Sequence, residues 1–482
     1  MLDTVGIPVW LLSVLAILAT AGVYNYVAAP LTRRSMQRRS SRVVRQVNPR
    51  LQIKLSTFAL TRRRVLADRL SNDPQVMKAI ESAAAERGVE IDTVRREVAK
   101  IAYEMVPSFS PYFYFRFGHR FARAFMRFMY RVRLGEMDDA GLAAVSAEAS
   151  VVFLMNHRTN LDYALVTYLT AKRTMWTIGA GEWARAWPLR PLLRAAGVYF
   201  LRRETNDALY RAVLKRFIQM VTEARVPHAV FLEGALSRTG GLHKPRLGLL
   251  SYLTTSFDPK TSPDIVFIPI GTNYDRVPEE RTIVAHASES FVNRSTWFVL
   301  RGVIEFIGYL IAQRLRGQRK PFGNACANFG TPVSFSAWLR NHWVDWASLD
   351  RTGRFYWLNR LGEELMSDIA ALIPGLPMAF VCSVVREYGD DAFDEEDLRV
   401  RYEARLDAAY EAGCHVYLPK GDRWLGYGEA LHMLRGRHIL RLGKDRRFRA
   451  NPKDKPLIDY YATSVAQFLP DAPNRRSADC VD

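Results

Sequence analysis

The chain is 482 residues long, 49% hydrophobic and 24% charged, long enough for two or three domains and too apolar for a disordered or fibrous protein. Its formal charge of +19 is concentrated: residues 31–64, 112–135 and 435–455 together carry +24, so the remainder is near −5. Basic segments on a nearly balanced body fit contact with a membrane surface and count against a nucleic-acid groove, so no nucleic-acid partner is expected.

The first predicted element is a membrane anchor. Ile7 to Ala29 is 23 residues without a charge, and at about 1.5 Å per residue it crosses the roughly 30 Å hydrocarbon core with some tilt. Only Asp3 precedes it, whereas Arg33, Arg34, Arg38, Arg39, Arg42 and Arg45 follow. That polarity is the reverse of a cleaved signal peptide and predicts an uncleaved span with the body in the cytosol. Trp10, Tyr24 and Tyr26 stand where interfacial aromatics would. The cysteines Cys326, Cys382, Cys414 and Cys480 are 56, 32 and 66 residues apart. This spacing suits neither structural zinc nor a disulfide framework and fits a reduced compartment, so no metal is expected.

Residues 65–105 read as helices. Ser71-Asn72-Asp73-Pro74 is a helix start with proline in the first turn, followed by apolar spacing through Val76, Ile80 and Ala84. From Tyr112 to Gly135, Arg116, Arg120, Arg123, Arg127 and Arg131 recur at helical intervals beside Phe113, Phe117, Phe121, Phe125 and Phe128. This is either a helix lying in a lipid interface or a core-facing helix with a solvated arginine face. Trp297 to Ala312 is apolar, but Arg301 and Glu305 interrupt it, which favours a core or interfacial helix over a second span.

From residue 149 short apolar runs finish in polar clusters with helical stretches between them, the pattern of an α/β fold. Val151–Met155 ends in Asn156-His157, Val198–Leu201 in Arg202-Arg203, Ala229–Leu232 in Glu233-Gly234, and Ile265–Ile270 near Asn273. Ligands in open α/β sheets bind beyond the carboxyl ends of strands, so these clusters converge if the strands are parallel neighbours. After about residue 375 come an acidic helix, Asp391 to Tyr410, and short strand-like pieces at His438–Leu442 and Arg447–Ala450. The expected division is an anchor at 1–30, a basic and helical membrane-proximal region at 31–135, an α/β domain with a mixed sheet flanked by helices at 136–375, and a small C-terminal domain at 376–482.

In His157-Arg158-Thr159-Asn160-Leu161-Asp162, a histidine past a buried strand and an aspartate at the start of a helix can pair, the carboxylate fixing the tautomer and steadying the imidazolium. Such a pair is a general base. No Gly-x-Ser-x-Gly elbow is present, which disfavours a covalent hydrolase. Arg202 and Arg203 place two fixed positive charges at a strand end, where alternation sends their side chains to opposite faces. Glu233, Gly234, Ser237 and Arg238 put a carboxylate, a permissive glycine, a hydroxyl and a guanidinium into one turn suited to an anionic acceptor. Ile268-Pro269-Ile270 carries no reactive group and can only line a pocket.

The order and spacing of these four clusters resemble the glycerolipid acyltransferase superfamily. More narrowly, His157–Tyr163, the Arg202-Arg203 pair, Ser237-Arg238-Thr239-Gly240 and Asn328-Phe329-Gly330-Thr331-Pro332 look like the bacterial membrane-bound glycerol-3-phosphate acyltransferases and their dihydroxyacetone-phosphate relatives, with the likeness running over roughly residues 62–470. The resemblance implies an acyl donor that is a coenzyme A or acyl-carrier-protein thioester, no cofactor, and glycerol 3-phosphate as acceptor. His157 would deprotonate the sn-1 hydroxyl and Asp162 would orient His157. Arg202, Arg203 and Arg238 would meet the acceptor phosphate, and Glu233, Gly234 and Ser237 would hold the glycerol backbone or the loop. It further implies membrane lipids as partners and the bacterial inner membrane as location, with the site facing the cytosol, and leaves donor choice, chain length and subunit number open. Leu236 stands where the family's third motif has its first arginine. Either a neighbour such as Lys244 or Arg246 substitutes, or the acceptor differs, dihydroxyacetone phosphate and a lysophospholipid being alternatives. A non-catalytic membrane scaffold is the remaining reading.

Overall fold

The computed structural model describes residues 56–169, 176–179, 189–202, 207–285 and 321–469, with Gly308, Ile311, Ala312 and Leu315. The expected anchor, most of the basic run before residue 64, Arg203 and most of Trp297–Ala312 lie outside the described residues. Among the described residues no helix is long and apolar enough to cross a membrane.

Eight strands among the described residues form one mixed sheet: β1 (Arg131–Met137), β2 (Ser150–Met155), β3 (Trp176–Gly179), β4 (Val198–Phe200), β5 (His228–Phe231), β6 (Ile265–Tyr274), β7 (Asn324–Phe329) and β8 (Val333–Ser334). The order is β1-β7-β6-β2-β5-β3-β4, with β8 against β6. Strands β6, β2, β5, β3 and β4 are mutually parallel, β7 and β8 run antiparallel to β6, and β1 is parallel to β7.

The principal helices are α1 (Arg63–Ser71), α2 (Pro74–Arg87), α3 (Ile91–Met105), α4 (His119–Met129), α5 (Asp162–Leu169), α6 (Ala208–Glu223), α7 (Leu247–Thr254), α8 (Arg351–Leu372), α9 (Pro377–Tyr388), α10 (Glu395–Glu411), α11 (Arg423–Gly436) and α12 (Lys455–Thr463). Helix α2 starts as expected: the Asp73 side chain accepts from Gln75 N, proline occupies the first turn, and Val76, Ile80 and Ala84 are buried.

Every residue of β2 and β6 is buried, because helices cover both faces. The period of two divides their side chains between two cores. Val152, Leu154, Ile265 and Phe267 pack with α1, α2, α3, α6, α7 and α8. Val151, Phe153, Met155, Ile268 and Ile270 pack with α4, α5, α9, α10, α11 and α12. The C-terminal region, expected as a small separate domain from residue 376, therefore shares its core with the central strands. Its helices α10, α11 and α12 pack on the buried α9, and that cluster is continuous with the side chains on one face of the sheet. The acidic helix is α10, and the two short pieces pair antiparallel as Leu440–Leu442 and Phe448–Ala450.

The helix expected over 112–135 ends at Met129, and Arg131 begins β1. The alternation Arg131-Val132-Arg133-Leu134 prevails there because pairing with β7 satisfies the backbone. Arg131 thus leaves the helical stripe and bonds both Glu429 oxygens at 2.6 Å. The expected boundary at residue 135 falls inside this strand.

Candidate active site

The site is built where β2, β5 and β6 end together. Asn156, the first residue past β2, locks the end of that strand to β6: its Nδ2 donates to Thr272 O (2.9 Å) and its Oδ1 accepts from Thr272 N (2.8 Å). His157 follows in the opening beyond the strand, and its ring stacks on Phe231 of β5 at 3.7 Å between centroids.

Asp162 is the first residue of α5 and is fully buried. Its Oδ2 accepts from His157 Nδ1 (3.0 Å), Arg158 N (2.8 Å) and Thr159 N (3.0 Å), while Oδ1 accepts from the Tyr274 hydroxyl (2.7 Å). A carboxylate with four donors is held in one orientation. It accepts a hydrogen bond from the imidazole Nδ1–H, which leaves Nε2 as the ring's acceptor. Burial and the adjacent Asp162 carboxylate push the Tyr274 phenol well above its usual range, so it remains a donor.

The turn after β5 closes over this pair. Glu233 is buried, and its two oxygens accept from His157 N (2.9 Å) and His243 N (2.9 Å). Burial raises its carboxyl above the ordinary range, opposed by those two N–H groups and the charge of Arg158. Glu233 is thus spent on the main chain, fixing where His157 starts. Ser237 secures the other side: its N–H donates to His157 O (2.9 Å) and its hydroxyl to Gly241 O (2.5 Å). Gly234 has φ +72°, a region that favours glycine. Arg238 is exposed on the same turn.

The expected residues do not all meet. His157, Asp162, Glu233, Gly234, Ser237 and Arg238 come together, but Arg202 stands apart because β3 inserts between β5 and β4. Three strand spacings separate the ends of β2 and β4, about 14 Å. The Arg202 guanidinium bonds Glu104 Oε2 at 2.7 Å and lies over the Tyr210 ring. Arg203 lies outside the described residues.

Several site residues carry no signal in the motif spacing. Tyr274 belongs to the fourth cluster, which extends four residues past Ile270 to Asp162. Glu279 Oε1 accepts from Thr159 Oγ1 (2.9 Å), Asn160 N (2.6 Å) and Asn160 Nδ2 (2.9 Å). Helix α12 supplies Tyr460, whose hydroxyl donates to Arg158 O (3.1 Å) and whose ring lies 4.5 Å from the buried Arg158 guanidinium. Arg158 also donates to Gly240 O, so it ties the first cluster to the third. Among the described residues no group of His, Cys, Asp or Glu side chains is gathered as for a metal ion.

This arrangement can abstract a proton from a hydroxyl at Nε2 while an anion is held by the cationic turn. Residues 137–273 match the family described as Acyltransferase, and residues 310–468 match the Glycerol-3-phosphate acyltransferase C-terminal region. The chain thus carries an acyltransferase domain followed by a glycerol-3-phosphate acyltransferase C-terminal region. Among curated proteins it is similar to the glycerol-3-phosphate acyltransferase of Pseudomonas syringae pv. syringae, 26% identical over 84% of this chain and 48% of the relative. It is also similar to the mitochondrial glycerol-3-phosphate acyltransferase 1 of Rattus norvegicus, 29% identical over 57% of this chain and 34% of the relative. The chain thus spans about half the length of the bacterial relative and about a third of the rat one.

Proposed function

We propose that the protein is a glycerol-3-phosphate 1-O-acyltransferase, moving a fatty acyl group from a coenzyme A or acyl-carrier-protein thioester to the sn-1 hydroxyl. The observation that carries this reading is the His157–Asp162 pair, with its carboxylate held by Arg158 N, Thr159 N and the Tyr274 hydroxyl. His157 Nε2 takes the hydroxyl proton as the oxygen attacks the thioester carbonyl. The C–S bond of the resulting tetrahedral adduct then breaks, and the imidazolium returns its proton to the departing thiolate. Asp162 stabilises the imidazolium between these steps. No covalent enzyme intermediate is required.

The membrane is the proposed setting, with the apolar segment 7–29 as anchor and the body on the cytosolic side of a bacterial inner membrane. Exposure on α4 and the turn before it supports a second contact. Phe117 and Phe121 are 52% and 71% exposed, and Arg116, Arg120, Arg123 and Arg127 are exposed beside them. Aromatics flanked by cations suit an interface with anionic lipid.

Leu236 and the pairing of Arg202 with Glu104 favour, as the second reading, a different hydroxyl acceptor for the same chemistry. The deciding experiment is thioester-dependent acylation by purified, detergent-solubilised protein, comparing glycerol 3-phosphate, dihydroxyacetone phosphate, lysophosphatidate and glycerol, alongside His157→Ala. Histidine-dependent preference for glycerol 3-phosphate supports the first reading. Histidine-dependent transfer to another acceptor moves the substrate, and transfer unchanged in His157→Ala overturns the base assignment.

A further inference from the structure

The turn between β5 and α7 holds more positive charge than the residues placed so far. Arg238, His243, Lys244 and Arg246 fall within one short stretch, all exposed, while the buried Glu233 of the same turn grips the His157 main chain. Of these, Arg246 is seated on the turn itself. Its N–H donates to Leu232 O at 2.8 Å, and its Cγ lies 2.9 Å from where a Cβ on Gly234 would stand. The aliphatic stem therefore crosses the backbone one residue beyond Glu233, a close approach that only glycine permits at φ +72°.

The head of this side chain is unused. Its guanidinium makes no hydrogen bond or ion pair with any described residue. Its charge nevertheless reaches its neighbours: after burial, Arg238 and Arg246 are what hold the His243 imidazole below its usual range. Two guanidiniums and a histidine on one wall make a potential that an incoming anion relieves. A fixed stem with a free fork is suited to the paired oxygens of a phosphate monoester.

We infer that Arg246, acting with Arg238, binds the phosphate of the acceptor and so supplies the contact that Leu236 does not. This rests on the acyl-transfer reading, because it assigns the phosphate of that reaction's acceptor. It also explains why Arg202 can remain paired with Glu104, three strands away from the base.

The test uses the full chain in detergent. Arg246→Gln raises KM for glycerol 3-phosphate about ten- to a hundredfold, the loss expected for one charge-assisted contact, with kcat and the KM for the acyl donor little changed. Arg246→Lys recovers part of the loss, and Leu236→Arg placed in the Arg246→Gln background recovers most of it. Equal rises in both Michaelis constants, or none in either, overturn the assignment, as does a larger effect from Lys244→Ala than from Arg246→Gln. A second measurement is independent of turnover: inorganic phosphate raises the melting temperature of the wild type, and this rise is lost in Arg246→Gln. Absence of any transfer to glycerol 3-phosphate by the wild type overturns the functional reading. An equal phosphate shift in wild type and variant overturns the phosphate site.

Discussion

Replacing Asp162 with asparagine removes a charge from the site and little else. An asparagine whose carbonyl oxygen takes the Oδ2 place keeps the acceptor for His157 Nδ1, Arg158 N and Thr159 N. Its amide can donate to the Tyr274 oxygen, which now stands 2.7 Å away as a donor. The buried pairing survives, so the variant folds with a melting temperature close to wild type. What is lost is attraction between the carboxylate and the imidazolium formed at proton transfer. For unit charges 3.0 Å apart, an effective dielectric of about 20 gives about 5 kcal/mol. An amide dipole recovers part of this, leaving about 4 kcal/mol, or roughly a thousandfold in kcat. The assay is thiol release at saturating donor and acceptor, with KM for the acceptor little changed. A loss below tenfold in a folded variant refutes the argument that Asp162 acts through the charge of His157, and so does a loss that merely follows unfolding.

The remaining tests separate the supports of the site from its chemistry. Tyr274→Phe removes one hydrogen bond to a buried carboxylate, and an activity loss of about tenfold is expected with the fold intact; a loss matching Asp162→Asn would instead make the phenol essential. In Gly240→Ala, at φ +83°, the new Cβ would overlap the Tyr460 carbonyl, so thermal denaturation should show a stability loss of at least about 2 kcal/mol. Burial raises the carboxyl of Asp275 to about 6 despite its bonds from Asn324 and Met378. A raised carboxyl favours the folded state most below its unfolded value and loses that contribution as pH rises through about 6. Denaturant midpoints should therefore reveal about 3 kcal/mol lost between roughly pH 4 and 6, and Asp275→Asn should flatten this part of the profile. For the membrane contact, a fluorophore on Phe121→Cys in proteoliposomes should be quenched by bromolipids, whereas one on Val400→Cys should not; equal quenching at both positions refutes a specific interface.

Much of this was legible along the chain because it depends on near neighbours. Asp73 caps α2 because its carboxylate can accept from the N–H two residues on and a proline suits the first helical turn. The strands are short runs bounded by polar residues, and His157 and Asp162 meet because a strand end and the first residue of a helix bring positions five apart together. The third cluster was legible as one turn, but its hold on the His157 backbone through Glu233 and Ser237, 76 and 80 positions away, was not.

The long-range contacts follow from how buried polar groups find partners. Asp162 reaches Tyr274 across 112 positions, and Arg158 reaches Tyr460 across 302. Such bonds leave no periodicity, yet burial makes them necessary, since an unpaired group away from water costs about 1–3 kcal/mol. The same holds for β3, which separates Arg202 from His157, and for the C-terminal helices, whose apolar faces meet both one another and the sheet core. Neighbouring residues alone were enough for the His157–Asp162 pair, the cationic turn and the alternation of strands and helices. Which arginines lie near His157, and that Tyr460 of α12 holds Arg158 beside it, depended on the order of strands and helices in space, which packing selects.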